Sequence, residues 1–257
     1  MKKVDYIIVG SGLAGILFAE VLMRQNKSFI VIDDASQQSS IVAGGLYNPV
    51  VLKRFTEVWK AKEQLEMALP IYQHLEALLQ VKLDFKIPVR RLFHSVEEQN
   101  NWFIASDKPG LSEFISTKII VNDNQCLSAA FGFGEVLQTG RIDTNTLVDA
   151  FVKLQICKNQ FLKESFDYEA LKIVENKIQY KNTEAFHIVF AEGFGLKQNP
   201  FFNHLPLNGA KGEFLTIHAP DLKIDYVLKS SIFLIPLGED LYRVGATYEW
   251  EDKSNDI

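Results

Sequence analysis

Residues 4–15 read VDYIIVGSGLAG, the most informative segment of the chain. Residues 4–9 form a short apolar run rich in β-branched side chains, which is typical of a buried parallel strand. The strand runs directly into Gly10-Ser11-Gly12-Leu13-Ala14-Gly15, and the apolar residues 16–25 that follow predict a helix packed beneath a sheet. Residues 28–32 then predict a second buried strand, so the chain opens with a strand–helix–strand unit.

Each glycine of the first loop has its own physical task. Gly10 permits the tight turn out of the strand, Gly12 lets the backbone approach a pyrophosphate, and Gly15 allows close packing of helix and strand. The helix that follows presents unpaired N–H groups and the positive end of its dipole to phosphate groups. We therefore predict that residues 10–15 bind the phosphates of a dinucleotide.

Two acids, Asp33 and Asp34, end the second strand. A carboxylate about 20 residues beyond such a glycine loop can accept hydrogen bonds from ribose hydroxyls, and Asp33 is the better candidate for that contact. We expect Asp34 to face solvent and keep it as a second cofactor residue. The alternative, a tight turn with no ligand, is disfavoured because the strand, the helix and the acid all fall in the expected places.

The glycine loop alone does not separate NAD from FAD. A doubly wound NAD dehydrogenase repeats strand–helix units after its second strand. Here a polar loop over residues 35–40 leads instead into Ala43-Gly44-Gly45-Leu46-Tyr47-Asn48-Pro49. The two adjacent glycines permit a second close approach of the backbone.

The glycine loop, the second glycine segment and several later segments follow one another in an order that resembles the D-amino-acid-oxidase-like FAD-dependent oxidoreductases, which include glycine and sarcosine oxidases. Residues 5–15 are similar to that family's FAD fingerprint, and residues 43–49 to a segment that passes close to the flavin ring. Residues 186–195 resemble a later strand and turn beside the cofactor. The resemblance implies FAD as the cofactor, with contacts from the later segments by Ala43, Gly44, Gly45, Leu46, Ala191, Glu192 and Gly193.

The resemblance also implies the architecture. Residues 205–214 match a crossing into the substrate domain, and residues 236–247 match that domain's late hairpin. We expect an α/β fold in which an FAD-binding Rossmann-like parallel sheet domain is interleaved with a mostly antiparallel α+β substrate domain. The expected boundaries are 1–80 and 141–208 for the first domain, and 81–140 and 209–257 for the second. Members of the family continue beyond the hairpin, so we expect a truncated or shortened relative whose own turnover is in doubt.

Composition and charge disfavour some classes of protein. The net charge of −5 over 257 residues disfavours a generic nucleic-acid surface, and no apolar run is long enough to cross a bilayer. Cys126 and Cys157 have no metal-ligand or C-x-x-C spacing, and the five histidines are scattered, so no metal site is predicted. These features predict a soluble, cytoplasmic protein, and they leave its oligomeric state open.

Further elements follow from periodicity and capping. Residues 55–80 predict a helix that Pro70 kinks or divides, with Trp59 in its buried stripe. Residues 96–106 predict a short helix, and Asp143 or Thr144 caps a helix that runs to about Cys157.

The predicted function is FAD-dependent oxidation of a C–N bond of a small amine or amino acid. The flavin accepts the hydride, so little acid–base machinery is required and no catalytic side chain is assigned. If the substrate has a carboxylate, Arg54 and Arg243 are the best placed arginines by the family alignment, and Tyr47 and Tyr242 could add hydroxyl contacts. Two alternatives stay open: oxidation of a modified amine on a larger substrate such as tRNA, and FAD binding without turnover.

Overall fold

The structure is a computed structural model that describes residues 1–254. It has five α-helices in this range: α1 Leu13–Arg24, α2 Ser39–Val42, α3 Ala61–Leu79, α4 Val96–Ser106 and α5 Thr144–Cys157. Two short 3-10 helices cover Tyr168–Ala170 and Gly193–Gln198.

Eighteen strands are described: β1 Lys2–Val9, β2 Phe29–Ile32, β3 Leu46–Tyr47, β4 Val50–Val51, β5 Thr56–Glu57, β6 Asp84–Phe85, β7 Val89–Leu92, β8 Ile115–Ile120, β9 Phe133–Val136, β10 Gly140–Ile142, β11 Phe161–Leu162, β12 Leu171–Val174, β13 Lys177–Tyr180, β14 Thr183–Phe190, β15 Phe214–His218, β16 Val227–Lys229, β17 Phe233–Gly238 and β18 Leu241–Gly245.

The chain divides into two compact units, and the first comprises Met1–Ala43, Ile71–Leu83 and Asp143–Gly209. Its six-stranded sheet has the order β11-β2-β1-β14-β13-β12. Strand β1 pairs in parallel with β2 and β14, and β11 pairs in parallel with β2, whereas β13 and β12 continue the sheet as an antiparallel hairpin. The carboxyl ends of β1, β2 and β14 therefore meet at one edge of the sheet.

Apolar burial explains why the first unit forms. The β1 residues Ile7 and Ile8 have no exposed surface, and all four residues of β2 are buried, as expected for strands covered on both faces. Helix α1 buries Ile16 and Ala19. Helix α5 begins with the predicted cap, because the Asp143 side chain accepts a hydrogen bond from Thr146 N at 3.1 Å.

The second unit comprises Gly44–Pro70, Asp84–Ile142 and the described residues from Ala210 onward. Its seven-stranded sheet has the order β15-β18-β17-β16-β7-β9-β8, and all neighbours in it are antiparallel except β16 and β7. Two small sheets, β3-β10-β6 and β4-β5, complete the unit. Its main core surrounds Trp102, which is fully buried and packs edge-on against the rings of Phe55 and Phe93. The predicted fold class, a parallel sheet interleaved in sequence with a mostly antiparallel one, is confirmed.

Residues 44–70 differ most from the sequence-based expectation. We expected them in the nucleotide-binding half, but they group with the second unit, since Leu46 pairs with Arg141 and Phe55 packs into the Trp102 core. The helix predicted over residues 55–80 begins only at Ala61, and Pro70 lies inside it. The prediction that Trp59 is buried is wrong: it precedes the helix and is 75% exposed.

Candidate dinucleotide site

The first glycine loop is wound tightly against the end of β14. Gly10 has a φ of 102°, and a Cβ at this position would lie 2.4 Å from the carbonyl oxygen of Ala191. A Cβ on Gly15 would lie 2.0 Å from the carbonyl oxygen of Gly10. Both positions therefore require glycine, the first for its left-handed backbone and the second for close packing of α1 on the strand.

The amino end of α1 is open to an anion. Gly12 is the N-cap and has no side chain to cap the helix; among the described residues, the only side-chain acceptor there is Ser40 Oγ, 3.1 Å from Leu13 N. The N–H groups of Gly12, Ala14 and Gly15 have no acceptor among residues 1–254. These amides and the helix dipole favour a phosphate at this point.

Asp33 lies directly beside the loop. Its Oδ2 accepts hydrogen bonds from the backbone N–H of Ser11 and from Ser11 Oγ at 2.8 Å, and its Oδ1 accepts one from Ala35 N at 2.5 Å. The parallel pairing of Val9 with Ile32 sets this position. A carboxylate has about four acceptor sites, so Asp33 keeps capacity for sugar hydroxyls.

Asp34 is exposed, and its hydrogen-bond partners differ from those of Asp33. Its Oδ1 accepts from Ser36 N at 2.9 Å, and its Oδ2 accepts from Ser165 Oγ at 2.7 Å. Hydrogen bonds from Ser36 and then Ser165 hold the pKa of the Asp34 carboxyl below its usual value. Asp34 therefore stabilises the loop after β2, while the glycine loop contacts Asp33.

The end of β14 forms the third part of the site. Ala191 N donates to Val9 O at 2.7 Å, which continues the β1–β14 pairing to the glycine loop. The half-buried Glu192 carboxylate is held by two side chains: Oε1 accepts from the Tyr168 hydroxyl, and Oε2 accepts from Asn199 Nδ2 at 2.7 Å. Burial, and then the adjacent Glu192, raise the pKa of Tyr168. Gly193 has a φ of 55° and nothing within 4 Å of a Cβ.

The second glycine segment is shaped by contacts within the second unit. Ala43 is the last residue of its stretch of the first unit, and Gly44 begins the second. A Cβ on Gly44 would lie 3.1 Å from Ile235 Cδ1 and 3.4 Å from Phe214 Cζ. Gly45 has a φ of 68°, and its carbonyl accepts a hydrogen bond from Ile142 N at 2.9 Å. A Cβ on Gly45 would lie 2.0 Å from the Ile142 carbonyl oxygen, so packing alone requires glycine there, whereas at Gly44 it would make a close contact with side chains only. Leu46 continues as strand β3.

Two of the four predicted substrate contacts belong to the small strands of the second unit and their connections: Tyr47 ends β3, and Arg54 lies between β4 and β5. The Tyr47 hydroxyl donates to Asp84 Oδ1 at 2.8 Å and accepts from Lys86 Nζ at 2.8 Å. Burial is the main cause that raises the pKa of Tyr47 to about 12. Arg54 lies exposed in the turn after β4, with no ion pair among the described residues.

The other two predicted contacts, Tyr242 and Arg243, point to opposite faces of β18. Tyr242 is 3% exposed and belongs to an apolar cluster, where its hydroxyl faces Ile224 N at 3.4 Å, so its role is packing. Arg243 is half-buried, and its Cζ lies 5.8 Å from the centre of the Phe214 ring. Phe214 is also the ring nearest to Gly44, so one aromatic side chain connects Arg243 with the second glycine segment.

No sequence pattern indicates a role for Ser40, Tyr168 or Asn199. Ser40 contacts the first turn of α1 across a gap of 27 positions, and Tyr168 and Asn199 bind Glu192 from separate segments. No sequence motif identifies such contacts, because they depend on tertiary packing.

The part of the chain that the structure describes contains no group of three His, Cys, Asp or Glu side chains that could hold a metal. Both cysteines are free and exposed. Among residues 1–254, no helix is both long enough and apolar enough to cross a membrane.

Comparison of the sequence with models of protein families finds no match. Solved structures are similar in fold. Glycine oxidase from Geobacillus kaustophilus has a TM-score of 0.74 at 13% identity, over 98% of this chain and 74% of that chain. Iminodiacetate oxidase from Chelativorans sp. BNC1 has a TM-score of 0.72 at 13% identity, over 98% and 73%.

A third similar structure is L-α-glycerophosphate oxidase from Mycoplasma pneumoniae with FAD bound. Its TM-score is 0.58 at 13% identity, over 96% of this chain and 72% of that chain. All three solved chains are longer than this one. The chain therefore has the fold of glycine oxidase and related oxidases, and the predicted resemblance is confirmed at the level of the fold.

Proposed function

We propose that this chain is an FAD-dependent oxidoreductase that oxidises a C–N bond of a small amine or amino acid. The observation that supports it best is the meeting of three segments at one sheet edge. Parallel pairing of β1 with β2 and β14 brings together the loop at Gly10, the carboxylate of Asp33 and the backbone of Ala191.

The residues at this edge fit a dinucleotide. The open N–H groups at the start of α1 suit a pyrophosphate, and Gly12 lacks the side chain that would keep it away. Asp33 would bind the ribose hydroxyls of the adenosine half. A ligand with a diphosphate and a sugar a few ångströms apart matches this pair of contacts.

A bound flavin would supply the hydride acceptor, and the protein would supply binding, orientation and exclusion of water. We assign the segment from Ala43 to Leu46 to contact with the flavin through its backbone. Within the second unit, Arg243 is the best candidate to hold a substrate carboxylate, since its guanidinium is half-buried beside Phe214.

The named activities of two solved neighbours, oxidation of glycine and of iminodiacetate, support an amine that carries a carboxylate as the substrate class. An arginine binds such a group with two parallel hydrogen bonds, which a lysine does not reproduce.

The test begins with the absorption spectrum of the purified chain after incubation with FAD and removal of free cofactor. A bound flavin absorbs in the visible range. Anaerobic addition of glycine, iminodiacetate, and D- and L-amino acids should then bleach that absorption with at least one compound. Bound flavin with no bleaching would contradict the oxidase function, and absence of bound flavin would contradict the cofactor assignment as well.

A further inference from the structure

A hollow of about 430 Å³ opens at the end of α1 opposite to the glycine loop. Helices α1 and α5 both end here, and each is followed by an asparagine in left-handed conformation, Asn26 with a φ of 53° and Asn159 with a φ of 54°. These two turns place Lys27 and Lys158 in the lining of the hollow.

Much of the lining is apolar. The apolar surface comes mainly from Met23 of α1 and Leu78 of α3, because Phe29, at the start of β2, is only 1% exposed. Gln160 also lines the hollow, and its backbone carbonyl accepts a hydrogen bond from Val31 N at 2.8 Å. The lining therefore rests on the sheet and on three helices of the first unit.

The charged part of the lining is entirely cationic. Lys27 and Lys158 are exposed and have no ion pair among residues 1–254, and none of the eight lining residues is acidic. In a chain of net charge −5, this is a local concentration of positive charge. Helix dipoles alone favour cations at helix C-termini, but they do not explain an apolar hollow between those cations.

The buried carboxylate of Glu20 contacts two further side chains of the lining, Arg24 and His74. Glu20 has no exposed surface; Arg24 Nε lies 2.7 Å from its Oε1, and His74 Nε2 lies 3.9 Å from the same atom. Neither oxygen of Glu20 accepts a well-aligned hydrogen bond within the described residues. Glu20 thus positions Arg24 and His74 beside the hollow from beneath.

We propose that this hollow binds a phosphate monoester whose organic part is apolar. The phosphate would be held by Lys27 and Lys158, with Arg24 as the third cation, and the organic part would lie on Met23 and Leu78. Helix α1 has 12 residues, so this site lies about 18 Å from the glycine loop. The proposal stands independently of FAD binding.

Isothermal titration calorimetry of the full chain at low salt tests the proposal, with phenyl phosphate as the probe and benzyl alcohol as its neutral analogue. The variants are Lys27→Gln, Lys158→Gln and the double variant. Lys153→Gln is the matched control, because Lys153 is an exposed lysine of α5 that pairs with Asp149 outside the hollow. Titration of Gly12→Asp separates this hollow from phosphate binding at the glycine loop.

We expect saturable binding of phenyl phosphate, weakened about fivefold by each single variant and more by the double variant. Lys153→Gln and Gly12→Asp should bind as the unaltered chain does, and benzyl alcohol should bind far more weakly. The proposal is overturned if the unaltered chain shows no saturable binding, if both single variants keep full affinity, or if Lys153→Gln loses as much. Both lysines are exposed, so the single variants are expected to fold.

Discussion

Ser11 donates both its backbone N–H and its hydroxyl to the same carboxylate oxygen of Asp33. The glycine loop and the end of β2 are therefore joined before any ligand arrives. This contact fixes the Asp33 carboxylate beside the phosphate-facing amides of α1, which is the arrangement that a ribose next to a diphosphate requires.

Replacing Asp33 should weaken flavin binding. Asp33→Asn keeps the size of the side chain but removes the charge that strengthens its hydrogen bonds, so we expect FAD affinity to fall at least about tenfold. Asp34→Asn is the control, because Asp34 binds Ser36 and Ser165 instead of the loop. Quenching of flavin fluorescence on titration with the apoprotein measures both affinities. Equal losses in the two variants would contradict the assignment of the ribose contact.

Substitutions of Gly12 and Gly15 should have different effects, one on FAD binding and the other on the stability of the fold. Among the described residues a Cβ on Gly12 meets only the Ser40 side chain, with Oγ at 3.0 Å, so Gly12→Asp should fold and yet lose FAD, because its carboxylate would repel the phosphates. A Cβ on Gly15 would lie 2.0 Å from the Gly10 carbonyl oxygen, so Gly15→Ala should destabilise the fold itself. Thermal unfolding without cofactor separates the two effects. Full flavin occupancy in Gly12→Asp would show that the pyrophosphate is misplaced.

The buried Glu20 makes Arg24 important for stability. Removal of one partner from a buried ion pair leaves an uncompensated charge, which costs about 3 kcal/mol or more. Arg24 is half-exposed, so we expect Arg24→Ala to lower the free energy of unfolding by about 2 kcal/mol. Glu20→Gln in the same chain should restore part of that loss. Urea unfolding of the two single variants and the double variant checks this, and strictly additive losses would refute the coupling.

Tyr47 should make stability fall at alkaline pH. Its folded pKa of about 12 exceeds the usual value of 10.0, because burial disfavours the phenolate. The stability that this group contributes is complete below pH 10 and is lost as the pH rises from 10 to 12, since only the unfolded chain releases the proton there. Tyr47→Phe should flatten this part of the curve. Unfolding free energies of both proteins at pH 9, 10 and 11 give the comparison, and parallel curves would contradict it.

Arg243 should determine the affinity for a substrate carboxylate. With an amino acid that bleaches the flavin, Arg243→Met should raise KM more than about tenfold, because a charge-assisted pair of hydrogen bonds is lost. Arg54→Met, at an exposed turn, should leave KM unchanged. Steady-state kinetics of both variants provide the measurement, and the reverse result would transfer the carboxylate contact to Arg54.

The strand–helix–strand unit was predictable because its information is local. An apolar run, a loop of three glycines and an acid at the second strand's end each follow from neighbouring residues, and the structure has all three in order. The helix Val96–Ser106 and the Asp143 cap were predictable for the same reason, since capping and periodicity act over a few residues.

The side-chain environments of the candidate site were not predictable in this way. Tyr242 and Arg243 are adjacent in sequence, yet the pairing of β18 sends one into the core and leaves the other beside Phe214. Trp59 shares the spacing of a buried stripe but precedes the first turn of α3. Such outcomes depend on strand register and on where a helix begins, which distant parts of the chain decide.

The position of β14 beside β1 has a consequence for how the protein is made. Gly10 is synthesised about 180 residues before Ala191, the residue that follows β14 and packs against the turn at Gly10. Contacts of such long sequence separation form late. Until β14 is made, the apolar strands β1 and β2 therefore form an incomplete sheet. Fragments that end before β14 should therefore depend on chaperones to stay in solution and should gain no protection from added flavin.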